Sequence, residues 1–320
     1  MLTTAKAIDA FRRHSDEVAT LDHHSERFHS PSKHIQDACE DLWNRRGKRL
    51  RPHLVFWFGH QFNVPLSVLE TCAWAIEAVH TASLLHDDVI DNASLRRGIP
   101  SVNVRLGNRI SVLSGDFLLS EAVCQVASLG HPSLVGSLCE AVKELSSGEA
   151  LQHEIAYTIP KNWQTYQDIH RLKTSSLLKW AATVGPRFAD PSQLIQVEEF
   201  MDCFGHLFQF TDDLIDCYGG GGKETLGDTK EGNINSVIWL VCQQNISLKE
   251  RLAESLLHRS KDSCEWISAF LKPPEVRGML KDKLEQIVNL TQASAWALGD
   301  SPLTQDLLSV TRMMAARTLL

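Results

Sequence analysis

The sequence predicts an all-α protein: a single-domain helical bundle of about ten or more helices, spanning residues 1–320 with the first thirty or so peripheral. Two observations carry this. Apolar residues recur with helical spacing through long stretches free of proline, and strand signals are nearly absent, with no Asn-Gly or Asp-Gly hairpin and no sustained valine or isoleucine alternation. A third is composition. With 43% hydrophobic and 22% charged residues the chain is an ordinary globular protein, long enough for a sizeable core.

The first well-marked helix is opened by Pro65, a favoured first-turn residue. From Leu66 to Ile99 there is no proline and one glycine, Gly98, while apolar residues recur at 69, 72, 73, 76, 79 and 82–85. A continuous helix over 66–91 extends about 39 Å at ~1.5 Å per residue. The same pattern predicts helices at 108–129, 133–157, 163–184, 193–218, 233–257 and 276–298, with no internal repeat. Two segments are read as loops: the basic run RRGKRLRP at 45–52, and YGGGGKETLGDTKEGN at 218–233, whose glycines predict mobility.

A formal net charge of −7 argues against nucleic acid, so an anionic partner must meet a local basic cluster. No secretory signal is visible, and the densest apolar run, 237–242, is too short to span a bilayer. Eight scattered cysteines without a C-x-x-C pair read as buried reduced thiols, so the cytoplasm is the expected compartment.

Two D-D-x-x-D motifs end otherwise apolar helices: Asp87, Asp88 and Asp91, then Asp212, Asp213 and Asp216. Residues four apart share a helix face, so Asp87 and Asp91 project together and destabilise the helix unless a cation sits there. One such motif is more often a solvated acidic face; two are harder to dismiss. Carboxylate oxygens with no histidine or cysteine at metal spacing beside them select Mg²⁺ over zinc or copper. Mg²⁺ completes its shell with water and phosphate, so two acidic walls gripping a diphosphate are expected. His80 is a candidate ligand, whereas His86 reads as helix-packed. The bases suit the same anion: Arg96 and Arg97 after the first motif, the cluster Lys48, Arg49 and Arg51, and the isolated Lys173 and Lys223. They exceed what one diphosphate needs and match two.

Together, GKRLRP at 47–52, EAVHTASLLHDDVID at 77–91, RRG at 96–98, GDFLL at 115–119, KTSSLL at 173–178, FQFTDDLID at 208–216 and GK at 222–223 resemble the trans-polyprenyl (all-trans isoprenyl) diphosphate synthases. The likeness runs from about residue 40 to 240 and is nearest to bacterial long-chain, octaprenyl-type members. It implies an isoprenoid-synthase bundle around a central cavity, a homodimer, and three Mg²⁺ ions bound with the diphosphate. It implies that Asp87, Asp91 and Asp212 are direct ligands, supported by Asp88, Asp213 and Asp216. Lys48, Arg51, His80 and Arg97 match the isopentenyl diphosphate site, which Arg317 helps to close. Arg96, Lys173, Lys223, Thr174 and Gln209 match the allylic diphosphate site. The implied reaction is head-to-tail prenyl transfer through an allylic cation, without a protein nucleophile, under a lid formed by 218–233.

The growing chain is expected to run from the aspartates back along helix 66–91, past the small Ala82 and Ser83, toward Val79, Ile76, Leu134 and Leu138. The resemblance implies an aromatic floor there in short-chain members; this chain lacks one, so a product longer than fifteen carbons is expected, one that could pass on to a membrane. Ala82→Phe or Ser83→Phe is expected to shorten it; an unchanged product spectrum on chromatography would sink this assignment. One departure stands out: where the resemblance leads to a lysine, this chain has Asn233, with Lys230 three residues earlier as a substitute. That departure keeps open an impaired regulatory subunit acting beside an active partner. A class I terpene cyclase is the third reading, disfavoured because its second motif is of another kind.

Overall fold

Long apolar periodicities punctuated by proline and glycine become helices, and the computed structural model is all-α, as expected. It describes residues 2–21, 28–45, 47–96, 98–219, 225–259 and 263–318. The helices are α1 (Leu2–Arg13), α2 (Ser15–Thr20), α3 (Lys33–Asn44), α4 (Leu50–Gln61), α5 (Leu66–Ile90), α6 (Val102–Leu106), α7 (Asn108–Ser128), α8 (Pro132–Glu154) and α9 (Trp163–Ile169). They continue as α10 (Ser176–Phe188), α11 (Leu194–Tyr218), α12 (Gly227–Lys230), α13 (Ser236–Gln244), α14 (Ile246–Leu257), α15 (Ser263–Leu271), α16 (Pro274–Trp296) and α17 (Pro302–Ala315). A π-helical turn, His170–Ser175, joins α9 to α10. Among the described residues the only sheet is a minimal hairpin, β1 (Leu95–Arg96) with β2 (Ile99–Pro100), turned by Gly98 at φ 77°.

Three expected helices were longer or more continuous than those found, each for a local reason. The stretch 133–157 stops at Glu154, because Tyr157 takes a left-handed φ of 60° and donates its N–H to Gly232 O at 2.8 Å. The stretch 163–184 is interrupted by the π turn. The stretch 233–257 begins only at Ser236 and breaks at Asn245, which is extended and accepts from Leu248 N at 2.9 Å as the cap of α14.

The helices fall into two compact units that interleave along the chain. Unit 1 comprises 1–8, 143–176 and 198–320; unit 2 comprises 9–142 and 177–197. In unit 2, α5 packs on α7, α4 and α3. Its core holds Phe28, Trp43 and Trp74 with ring centroids 5.3–6.0 Å apart. Buried Ala10, Val18, Leu21 and Phe28 bring N-terminal residues into that core. The helix α7 is long and apolar enough to cross a membrane by length and composition; here it packs against α5, α3 and α6. In unit 1, Phe200, Phe204, Leu207 and Phe210 bury the inner face of α11. Trp239 donates to Pro160 O at 2.7 Å, fastening α13 to the segment before α9. Seven cysteines with described side chains are free, five of them buried or half-buried.

Candidate active site

In unit 2 the apolar helix α5 ends in the first aspartate motif, which the helix itself sorts into two roles. Asp87 is half-buried and Asp91, at the C-cap, is exposed. Asp88, about 100° round the helix, is fully buried, and Arg96 Nε donates to its Oδ1 at 2.6 Å. Burial raises the Asp88 carboxyl, Arg96 opposes that, and the second oxygen, Oδ2, has no hydrogen-bond partner among the described residues. The hairpin therefore brings Arg96 onto an aspartate of the motif. Arg97 and Lys223 lie outside the described residues.

The basic run 45–52 divides in a way that the sequence hides. Arg49 sits at φ 49°, pairs with the buried Glu77 at 2.8 Å, donates to Trp43 O at 2.9 Å and lies 4.6 Å over the Trp43 ring. It is a strut between α3, α4 and α5, not a cation presented to solvent. Lys48 is exposed beside it; Arg51, in the first turn of α4, is half-buried, and burial pulls its guanidinium down while Glu77 opposes. His80 is half-buried on α5. His86 is packed as expected, its ring against Gly115 of α7, where an added Cβ would lie 2.2 Å from Nε2. Ile76, Val79, Ala82, Leu134 and Leu138 are buried, and Ser83 is half-buried with its hydroxyl donating to His80 O at 2.9 Å.

Unit 1 holds a cavity of about 240 Å³ into which α11 and the segment after it bring Asp212, Asp213, Asp228 and Asn233. Lys173, Thr174 and Gln209 line the same cavity. Asp213 is buried, its Oδ2 accepting from the Ser236 N–H at 3.1 Å and the Ser236 hydroxyl at 2.5 Å, and its Oδ1 from Gln209 Nε2 at 3.0 Å. Gln209 in turn accepts from the Thr174 hydroxyl at 2.8 Å, so one chain of hydrogen bonds runs from the π turn through α11 to the start of α13. Burial pushes the Asp213 carboxyl up to about 6; the Ser236 and Gln209 hydrogen bonds restrain it and Asp212 adds to the rise. Asp216 points elsewhere: it accepts from Gly227 N at 2.8 Å and Asn235 Nδ2 at 3.1 Å. It fastens the segment that carries Asp228.

Asp228 is the residue that motif reading missed. Burial raises its carboxyl, Asp213, Asp212 and Glu231 raise it further, and Lys173 lowers it. One of three scattered acids in a glycine-rich loop carries no signal; the signal is Asp216 closing on Gly227 next door. The cavity also receives Asn233 at the position where a lysine was expected, while Lys230 is exposed.

Lys173 and Thr174 stand on the π turn, an irregularity frequent at functional sites. The turn lies close against α8 at Gly148, where a Cβ would come 2.6 Å from Lys173 N, and against α11 at Gly205, 2.0 Å from Ser175 Oγ. Lys173 Nζ donates to Glu149 Oε2 at 2.8 Å and Gln152 Oε1 at 3.1 Å, which aims it along α8. Behind it, His170 Nδ1 meets His206 Nδ1 at 2.9 Å. Burial holds His170 well below the usual imidazole range and His206 at about 4, with Lys283 assisting at His206. The fold thus keeps both imidazoles neutral.

The unfolded chain protonates His206 first, so its contribution is complete above about pH 6.5 and is lost as pH falls toward 4. Relative to His206→Gln, the wild-type chain is expected to lose about 2 kcal/mol more stability between pH 7 and 5, read from paired urea melts. Asp213, whose raised carboxyl acts in the opposite sense, is common to both proteins and cancels in the comparison.

The unit 1 cavity gathers three carboxylates, Asp212, Asp213 and Asp228; Asp212 raises the other two, and Lys173 lowers Asp228. Such a set suits a hard divalent cation. The comparisons agree. The polyprenyl synthetase family model matches residues 32–271. The chain is 32% identical to heptaprenyl diphosphate synthase component 2 of Geobacillus stearothermophilus over 228 residues, 69% of this chain and 71% of that protein. It is 34% identical to mitochondrial solanesyl-diphosphate synthase 1 of Oryza sativa subsp. japonica, over 64% of this chain but only 53% of that relative. The fold matches a polyprenyl synthase from Caulobacter crescentus, complexed with calcium and isoprenyl diphosphate, with a TM-score of 0.87, 23% identity and 98% of each chain covered. A helical fold with aspartates closing two apolar helices and a family match over three-quarters of its length place this chain in the polyprenyl synthetase family of trans-prenyl diphosphate synthases.

Proposed function

We propose that this chain condenses isopentenyl diphosphate head-to-tail with an allylic diphosphate, using Mg²⁺, to give a trans-polyprenyl diphosphate of C20 or longer. The observation that carries the reading is the carboxylate-lined cavity of unit 1, with Lys173, Thr174 and Gln209 on its wall. Asp212 and Asp228 would hold metal in unit 1, and Asp87 and Asp91 at the end of α5 would do so in unit 2. When bound, Mg²⁺ offsets the charge that builds on departing diphosphate. Asp213 works through its hydrogen bonds, holding Gln209 and Ser236 in place, and Asp216 holds the segment that presents Asp228. Lys173 places a positive charge beside the leaving group from a fixed perch on Glu149 and Gln152. Ile155, Ile169, Ile234 and Tyr166 add an apolar part to an otherwise polar lining, where an allylic cation would be shielded from water. Lys48, Arg51, His80, Arg96, Arg97, Lys223 and Arg317 retain their sequence-based assignments, and the homodimer is the working assembly.

Incubating the purified chain with isopentenyl diphosphate, each short allylic primer and Mg²⁺, then sizing the products, tests the reading. Chain-elongated product that disappears with EDTA supports it; no consumption of isopentenyl diphosphate with any primer overturns it. A second reading, an impaired subunit that needs a partner chain, is favoured by Asn233 and by the relative named as one component of a synthase. Asn233→Lys puts a cation beside Asp228, and is expected to lower KM for the allylic diphosphate about tenfold. If the variant gains nothing and product forms only with an added partner, the second reading stands.

A further inference from the structure

Three potential ligands converge in unit 2, none of them part of an aspartate motif: His14, Glu17 and His60. His14 caps α2 and Glu17 lies one turn on, so the two share a helix face. His60 stands in the last turn of α4. The approach of these elements is set by packing: Phe11 meets His53 and Trp57 edge-on at 4.9 and 5.0 Å, and Trp57 Nε1 donates to Ala10 O at 3.3 Å. His14 Nδ1 comes 2.5 Å from Glu17 Oε2, and His60 Nε2 comes 2.9 Å from Oε1. The two imidazoles stack at 4.8 Å, 16° from parallel. One ligand atom from each residue lies within 4.8 Å of the others. The side chains are 21%, 27% and 38% exposed, so an ion reaches them from solvent.

A carboxylate between two histidines is also satisfied by hydrogen bonds alone. What distinguishes this one is that both rings, from two separate helical elements, turn a nitrogen toward the same carboxylate. We propose that His14, Glu17 and His60 form a site for a borderline divalent transition metal, Zn²⁺ foremost, with water completing the shell. Two imidazoles and one carboxylate form a set that Zn²⁺ and Cu²⁺ take readily and Mg²⁺ does not. The chain thereby keeps two metal chemistries apart by ligand type: all-oxygen at the aspartates, nitrogen-rich here. An ion bound to all three clips α2 to α4 and stabilises the fold by binding the native state alone.

The test uses the tag-free full-length chain in saturating Mg²⁺. Calorimetry is expected to find one Zn²⁺ per chain, with a rise in Tm, and Cu²⁺ in its place is expected to show nitrogen hyperfine coupling in its EPR spectrum. Loss of an outer-shell partner alone costs about 10–100-fold in affinity, so His60→Gln and His14→Asn should each weaken binding by at least about 100-fold. Glu17→Gln, which keeps the shape and a hydrogen bond, should also weaken it, and His34→Gln, at an exposed position, should not. Circular dichroism verifies that each variant is folded. Zn²⁺ binding that survives His60→Gln and Glu17→Gln unchanged, or a Cu²⁺ spectrum without nitrogen coupling, overturns the site.

Discussion

Asp212→Asn is expected to lower kcat by about 10²–10³-fold while leaving Tm level or slightly raised. The substitution preserves size and removes one charge from the unit 1 cavity. That charge is among the causes that raise the carboxyls of Asp213 and Asp228. Its removal therefore relieves repulsion in the folded state and favours stability, the exchange of stability for activity common at functional sites. What is lost is an oxygen ligand whose charge would help to hold Mg²⁺ where diphosphate departs. Asp216→Asn should behave in the opposite order. Its carboxylate accepts from Gly227 N and Asn235 Nδ2, and hydrogen bonds to charged groups are worth about 1.5–3 kcal/mol, so stability falls first. Steady-state kinetics across a Mg²⁺ titration, with a melt of each variant, separates the two. Asp212→Asn activity within tenfold of wild type would remove Asp212 from the metal site.

The helices carrying both motifs were legible because their apolar periodicity is long and their ends are marked: Pro65 opens α5, and Gly219 at φ 85° follows α11. The break at Asn245 was not, because an asparagine inside a periodic stretch becomes a cap only once its own backbone turns extended. The aspartate motifs were legible as acids crowded onto apolar helices. Their division of labour came from the family resemblance, which set Asp88, Asp213 and Asp216 in support, and not from the acids themselves. Asp88 and Asp216 look like Asp91 and Asp212 in a string, and only burial with Arg96, Gly227 and Asn235 sets them apart. Arg49 shows the same limit from the basic side. Its strut depends on a left-handed backbone and on Glu77, and the sequence did offer a hint there: Glu77 is a lone acid within the apolar run CAWAIEAVH. A buried acid needs a partner, and that partner was in the loop before α4.

Gly148→Ala is expected to lower kcat/KM by about 100-fold, although it adds one methyl group outside every motif. The new Cβ would meet Lys173 N at 2.6 Å, Leu172 Cβ at 2.9 Å and Leu172 C at 3.0 Å. Two of these three atoms are backbone and cannot rotate away, so α8 or the π turn must shift. Overpacking of this kind costs about 1–3 kcal/mol in stability. The larger effect falls on function, because the displaced turn carries Lys173 and, through Thr174 and Gln209, the hydrogen bonds that reach Asp213. Gly136, on the same helix, supplies the control: a Cβ there meets nothing within 4 Å. Alanine at that position should instead stabilise the helix by about 1 kcal/mol, with activity unchanged. Kinetics and melts of the two variants side by side therefore separate helix propensity from contact. If Gly148→Ala is as active as Gly136→Ala, the close approach of α8 does not position Lys173, and the lysine's assignment to the allylic diphosphate loses its structural support.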